Sequence, residues 1–196
     1  MAAYPQGHGI TFGLRDLSKE RTDYSASPAT AAYFQECWQR RIAWQGKQAT
    51  AGPIVGTVFP NMSFHGQQPR TILVAHPLGP LQTEMWRVYF VDKSAPEEVK
   101  RFLRSYYVRY SGPAGMTEQD DMENWNYATK ASVGAMARKF PYHYKAGLGV
   151  GAPHALIPGT VTVHPNTTEQ NPRALYGRWA EYMDAADWGD LMITHA

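Results

Sequence analysis

The strongest constraint on the fold is a run of short apolar segments with no helical pattern between them. Each segment is rich in β-branched or aromatic residues, and proline or glycine follows most of them. The four segments are residues 54–59, 62–65, 71–76 and 83–91. Strands this close in sequence pair as antiparallel neighbours, because parallel neighbours need a long crossover connection. In the last segment the alternation predicts that Trp86, Val88 and Phe90 share one face.

Helical patterns surround this sheet region. Ser27-Pro28 is a typical helix start, and apolar spacing continues to a stop at Gly46. Ser94 and Glu97 have the spacing of a capping box. Two more helices are predicted from Thr117 to about residue 133 and from Asn171-Pro172 onward, and a further segment with Trp188, Leu191 and Met192 ends the chain. Residues 7–13, 138–147 and 161–163 are predicted strands, and residues 147–158 a loop. The class is therefore α+β, with helices packed on an antiparallel sheet.

Composition excludes several classes of function. The chain has 196 residues with 43% apolar residues, enough for one domain with a core. A net charge of +2 gives no basic footprint, so we expect neither nucleic acid nor an anionic membrane surface as a partner. No segment approaches the ~20 apolar residues of a membrane span, and no secretory signal begins the chain. The single Cys37 excludes an internal disulfide, so we expect a cytoplasmic protein.

A cluster of acidic residues marks the most informative window, residues 110–130. Glu118, Asp120, Asp121 and Glu123 lie within six positions, and no lysine or arginine stands between Arg109 and Lys130. One interpretation is a solvated first helical turn, where carboxylates are favoured by free N–H groups, and Glu118 and Asp120 fit it. The alternative is that one carboxylate binds a cation.

Helical geometry selects Asp121 for that second interpretation. Asp121 shares a face with Trp125 and Ala128, and this face is otherwise apolar. A carboxylate that enters an apolar face needs a partner, and a metal ion would supply one. We therefore expect the Asp121 side chain to point inward, towards a hollow.

The same window resembles a known family. The string SGPAGMTEQDDMENW at residues 111–125 is similar to a signature in the C-terminal catalytic domain of the large (α) subunit of Rieske-type aromatic-ring-hydroxylating dioxygenases. Other matching stretches follow in the family's order, at residues 52–63, 84–91, 141–147 and 174–184. The resemblance covers nearly the whole chain. It implies a helix-grip fold (START/Bet v 1-like), in which a curved antiparallel sheet wraps a C-terminal helix.

The resemblance also implies a metal and a pocket. Family members hold a mononuclear non-haem Fe(II) with two histidines and one aspartate, which leaves positions open for O2 and substrate. Asp121 matches the aspartate ligand. Val55, His65, Ser111 and Thr117 match positions of the substrate pocket. Because Ser111 and Thr117 are small, the resemblance favours a roomier, multi-ring aromatic substrate.

Two parts of the family's iron chemistry have no counterpart in this sequence. The seven histidines are His8, His65, His76, His143, His154, His164 and His195. No two have the family's His-x4-His spacing, and one cysteine cannot build the family's [2Fe-2S] Rieske cluster. Residues 1–196 are thus expected to be a single, partial catalytic domain without the Rieske domain. We expect this chain alone to be inactive. Two alternatives stay open: a metal-free module of the same fold that binds an apolar small molecule, and a non-functional fragment.

Partners follow from the resemblance alone. The intact enzyme adds both atoms of O2 to an aromatic ring and forms a cis-dihydrodiol. Its electrons come from NAD(P)H through a reductase, often with a ferredoxin. The large subunit usually assembles as an α trimer, often with a small β subunit.

Overall fold

A computed structural model describes residues 1–162 and 168–191. The predicted strand residue 163 and the predicted terminal Met192 lie outside these ranges. Within them, no helix combines the length and apolar character needed to span a bilayer.

The described residues form an antiparallel sheet of eight strands in the order β6-β5-β4-β3-β2-β1-β8-β7. The strands are β1 (Ala2–Ala3), β2 (Gly9–Leu14), β3 (Ala51–Val58), β4 (Met62–His65), β5 (Thr71–Gly79), β6 (Gln82–Tyr89), β7 (Ala152–His154) and β8 (Ile157–Thr162). Strands β3 to β6 pair in chain order, as their short connections predict. The buried β1 then joins the β7–β8 hairpin to β2.

Four α-helices accompany the sheet in the described ranges. They are α1 (Pro28–Gln45), α2 (Glu97–Ser111), α3 (Glu118–Ser132) and α4 (Gln170–Asp184). Helix α4 lies against β1 and β2. Its approach depends on Gly9, since a Cβ atom at that position would lie 2.8 Å from Cγ of Asn171. The predicted α+β class with an antiparallel sheet is confirmed.

Helix α1 begins where the sequence predicts. The Ser27 hydroxyl accepts from the Thr30 N–H at 3.3 Å, and the Thr30 hydroxyl accepts from the Ser27 N–H at 2.8 Å. Pro28 occupies the first turn, where its missing N–H costs nothing. Gly46, with φ of +54°, ends the helix in a conformation that residues with a side chain rarely adopt. Side-chain capping and local backbone conformation are therefore enough to set both ends of α1.

The main apolar core lies between α1, α2 and the sheet. Phe34 of α1 packs with Ala95 and with Val99 and Leu103 of α2. On the sheet side, the ring of Tyr89 stacks on Tyr107 of α2 with centroids 4.4 Å apart. Burial of this apolar stripe fixes α2 across one face of the sheet.

Three sequence predictions about local structure are wrong. Residues 140–147 form no strand, and Ala137–Lys139 form a 3-10 turn instead. Pro141 cannot donate to a ladder, and Tyr144 of this segment contacts the Tyr176 ring of α4. The segment predicted as a loop contains β7. Ser94 caps no helix, because its hydroxyl and its N–H both donate to Asp92, at 2.7 and 2.8 Å.

Asp92 generates a pH prediction. Its carboxylate accepts from Ser94 and, at 2.8 Å, from the Tyr33 hydroxyl, and these bonds lower its pKa to about 2. A lowered folded-state pKa stabilises the fold above the ordinary pKa of about 3.9, and that stability is lost as pH falls through about 2. Asp92→Asn should therefore flatten the fall in unfolding free energy between pH 4 and pH 2, measured by urea unfolding.

Glu20→Gln is the matched control, because Glu20 is exposed and its side chain makes no hydrogen bond in the described part of the chain. This variant should keep the acid dependence of the wild type. If D92N and E20Q change the profile equally, the Asp92 cluster does not set it.

Candidate functional site

Two glycines shape the turn between α2 and α3. The Gly112 N–H donates to the carbonyls of Tyr107 and Val108, at 3.1 and 3.2 Å, and a Cβ atom on Gly112 would lie 2.5 Å from the Val108 oxygen. A Cβ atom on Gly115 would lie within 3.0 Å of three carbonyl oxygens. Backbone approach this close excludes any side chain. The Gly-Pro-Ala-Gly string is therefore a steric requirement of this turn.

A buried ion pair fixes the start of α3. Glu118 is only 5% exposed, and its carboxylate pairs with the Arg87 guanidinium of β6. Arg87 Nη1 also donates to the Ser111 carbonyl at 3.2 Å. The Ser111 hydroxyl donates to the second oxygen of Glu118 at 3.0 Å. We call Arg87, Ser111 and Glu118 the junction network, since it links β6, the end of α2 and the first turn of α3.

A second bond strengthens the same turn. The Gln119 side-chain amide donates to the Gly112 carbonyl, which α2 itself leaves free. Thr117 precedes the helix at the cap position, as predicted, but its hydroxyl makes no capping bond. The first turn of α3 is thus held by Glu118 and Gln119 rather than by its cap.

Trp86, Val88 and Phe90 share one face along β6 and the residue that follows it, as predicted, and this is the outward face. Trp86, Val88 and Phe90 are about half exposed, whereas Arg87 and Tyr89 face α2. Strand alternation defines two faces but does not say which is buried, and here the guanidinium faces inward because Glu118 neutralises it. Sequence reasoning missed this pair: it placed Glu118 on a solvated face, whereas the structure buries it, and it gave Arg87 no role. The available signal was that Arg87 lies on the same face of the predicted strand as Met85 and Tyr89.

Asp121 lies one helical turn beyond Glu118 and is exposed. The expectation that its side chain points into a hollow is wrong for this chain. On the same face, Ala128 is exposed, and Trp125 is about half exposed and lines a cleft with Leu81 and Met85. Across residues 1–162 and 168–191, no three side chains of His, Cys, Asp or Glu are grouped to hold a metal ion.

The four predicted pocket residues fall into two pairs. Val55 of β3 and His65 of β4 are direct cross-strand partners. Ser111 and Thr117 lie at the junction between α2 and α3. The Ser111 side chain is buried and bonded to Glu118, so it does not line an open space.

Sheet register places both pairs on one side of the sheet. Thr57, Ser63, Leu73 and Arg87 are successive cross-strand partners and so point to the same face. Val55 and His65 are each two residues from this row and share that face. Strands β3 and β6 are three strand spacings of ~4.8 Å apart, which is a distance of about 14 Å. The chain therefore presents one composite face, bordered by β3 and by the junction network.

The fold and this face define a class: an α+β domain whose antiparallel sheet carries a glycine-shaped helix junction ending in an acidic turn. The profile of one family, described as the catalytic domain of the ring-hydroxylating alpha subunit, matches residues 6–185. The chain belongs to this family.

Named relatives support the assignment to this family. The chain is 36% identical over 196 residues to biphenyl 2,3-dioxygenase subunit alpha of Rhodococcus jostii (strain RHA1), covering 96% of this chain and 41% of that protein. It is 33% identical over 139 residues to benzene 1,2-dioxygenase subunit alpha of Pseudomonas putida, covering 70% and 30%. The chain thus spans less than half of these relatives.

Solved structures share the fold. Naphthalene 1,2-dioxygenase from Rhodococcus sp., bound to indole, superposes with a TM-score of 0.69 at 27% identity, over 90% of this chain and 43% of that chain. Naphthalene 1,2-dioxygenase with indole in the active site gives a TM-score of 0.76 at 23% identity, over 96% and 43%. The second likeness concerns the fold alone.

The junction network yields a stability prediction. Glu118→Ala leaves Arg87 buried without a counter-charge and should cost about 3–5 kcal/mol of unfolding free energy. Arg87→Ala should be similarly costly, and the double variant should lose less than the sum. Urea unfolding of the three variants gives this double-mutant cycle.

Glu123→Ala is the control on the same helix, because Glu123 is exposed. It should change the unfolding free energy by less than about 0.5 kcal/mol. Additive losses from E118A and R87A would contradict a coupled network.

Proposed function

We propose that this chain is part of the catalytic domain of a ring-hydroxylating dioxygenase that converts an aromatic hydrocarbon to a cis-dihydrodiol with O2. The observation that carries the proposal is the family match over residues 6–185, together with the glycine turn and acidic turn of α3. The named relatives, which are dioxygenase alpha subunits, support the reaction class.

Within that function we assign Asp121 as the one carboxylate that the chain contributes to a mononuclear iron site. Its position supports this role: the junction network anchors the turn before it, while its own carboxylate stays free of salt bridges in the described part of the chain. A ligand of this kind must be rigidly placed and still accessible to the metal.

The residues present do not by themselves fit iron. The described residues contain no three-ligand group, and the sequence contains no His-x4-His pair. One carboxylate holds Fe(II) weakly, since hydration competes with a single oxygen ligand. The proposed function therefore belongs to an assembly that supplies imidazoles, and we derive no chemical step from this chain.

The proposed role of this chain is to position the substrate and exclude water. The composite face carries Val55 and His65 at one border and Thr117 at the other, and these are the residues that would contact the substrate. The partners that the family implies are a reductase, often a ferredoxin, a small β subunit and an α trimer. The expected compartment is the cytoplasm.

A second candidate function is a metal-free module that binds an apolar small molecule. One observation favours it, namely that no three-ligand metal group exists among the described residues. The acidic turn counts against it, because an apolar pocket has no need of Asp121. Iron binding in a hybrid subunit that supplies the missing imidazoles separates the two candidates.

Iron analysis of the purified 196-residue chain, after anaerobic reconstitution with Fe(II), should give far less than one iron per chain. The physical reason is the absent imidazole pair. One tightly held iron per chain, with O2-dependent turnover, would show that the chain supplies a sufficient ligand set by itself and would contradict this account.

A hybrid subunit tests Asp121 directly. In this hybrid the chain replaces the aligned segment of biphenyl 2,3-dioxygenase subunit alpha. Asp121→Ala should remove one iron per subunit and abolish turnover, while acid-labile sulfide stays unchanged. Asp120→Ala is the matched control, because Asp120 is the exposed neighbour in the same turn. Loss of iron in D120A but not in D121A would refute the assignment.

The same hybrid tests the size of the substrate. With a small side chain at Thr117, it should turn over a three-ring substrate as well as a one-ring substrate. Thr117→Phe should lower the three-ring to one-ring ratio of kcat/KM by about tenfold, because overpacking a site costs about 1–3 kcal/mol. A wild-type hybrid restricted to one-ring substrates would contradict the assignment.

A further inference from the structure

We propose that four arginines form a binding site for a small oxyanion, of the phosphate or carboxylate type, on the side of α1. The residues are Arg15, Arg21, Arg41 and Arg70, and they line one cleft with a volume of about 60 Å³. We call this feature the arginine cleft. It is separate from the junction network and does not depend on the proposed function.

Trp38 forms the floor of the arginine cleft. Its ring is almost fully buried, and the guanidinium carbons of Arg21 and Arg41 lie 5.5 and 5.9 Å from its centroid. The indole N–H donates to the Lys19 carbonyl at 3.2 Å, which fixes the ring. An aromatic face at this distance holds a guanidinium without neutralising its charge.

Two of the arginines are held in place by further contacts. Arg41 donates to the Gln45 side chain at 2.7 Å and to the Ala51 carbonyl at 2.8 Å. The Arg15 side chain lies over Gly52, where a Cβ atom would be 2.5 Å from Arg15 Nε. The cations are therefore pre-positioned, which lowers the entropy cost of binding an anion.

The positive charge of the cleft is poorly compensated. Asp23 is the carboxylate that reaches it in the described part of the chain, 2.6 Å from Arg21 Nη2 and 3.6 Å from Arg15 Nη1. Asp23 is itself about half exposed. Four arginines that line the cleft thus face one carboxylate. Arg70 is exposed, whereas Arg15, Arg21 and Arg41 are half-buried, and like charges repel more strongly where water is partly excluded.

A buried donor also has no acceptor. Arg21 Nε is inaccessible to water and makes no hydrogen bond within the described residues. Burial, followed by the charge of Arg15, lowers the pKa of Arg21, and burial with the charges of Arg15, Arg21 and Arg70 lowers the pKa of Arg41. A bound oxyanion in the cleft would offset the repulsion among these guanidinium groups.

The size of the cleft limits the ligand. A volume of about 60 Å³ is roughly two waters' share of liquid volume, so it suits one carboxylate or one phosphate group rather than a nucleotide or an aromatic ring. Guanidinium forks match the paired oxygens of either group. The oxyanion can be a free ion or an acidic side chain of another protein segment, and the two sources are separable by experiment.

The test is the thermal unfolding midpoint of the full chain in sodium phosphate and in sodium succinate, each compared with sodium chloride at equal ionic strength and pH. Ligand that binds only the folded state raises the midpoint. At several times the dissociation constant the rise should be about 2–4 °C for a chain of this size. A larger effect of phosphate indicates a free phosphate-type ion, and a larger effect of succinate indicates a carboxylate side chain.

The double variant Arg15→Gln and Arg70→Gln should lose the anion effect and keep its midpoint in chloride, since it relieves repulsion and leaves the Trp38 contacts intact. The matched control is Arg101→Gln with Arg138→Gln, two exposed arginines outside the cleft. The control should retain the anion effect. Phosphorus-31 linewidths of phosphate, titrated with each protein, give a readout that requires no unfolding transition. Equal behaviour of both anions and chloride, or equal loss in the two double variants, overturns the proposal.

Discussion

The ion pair between Glu118 and Arg87 is the interaction on which the rest of the candidate site depends. It links β6 to the junction of α2 and α3, 31 residues later, and the glycine turn before Glu118 brings the ends of the two helices close enough for the network to form. Because both charges are largely buried, removal of either one leaves the other as an unpaired buried charge, which strongly destabilises the fold. Asp121 lies one helical turn after Glu118, so this ion pair also fixes the position of Asp121.

This arrangement explains why an acidic cluster of four carboxylates is stable at the start of α3. The four carboxylates have two kinds of environment. Glu118 is buried and neutralised by Arg87, while Asp120, Asp121 and Glu123 face solvent. The free N–H groups of the first turn favour Glu118, Asp120 and Asp121. A carboxylate that is anchored through its helix but unpaired at its oxygens is suited to accept a partner from another part of an assembly.

Much of the fold is predictable from local sequence. Ser27, Pro28 and Gly46 set α1 by capping and backbone freedom, and the short connections between β3 and β6 require antiparallel pairing. Two of the wrong predictions depend on contacts between residues that are distant in sequence. Glu118 looks like any first-turn acid until Arg87, 31 residues earlier, is placed beside it. Likewise, aromatic alternation at residues 140–144 suggests a strand, although Tyr144 packs against α4.

The most direct measurement is a crystal structure of an iron-loaded alpha subunit that contains this chain. The account predicts that Glu118 stays paired with Arg87 and that the iron is bound by Asp121, the only carboxylate of α3 that contacts it. Iron bound by Glu118 or Asp120, with the Arg87 pair broken, would contradict the account.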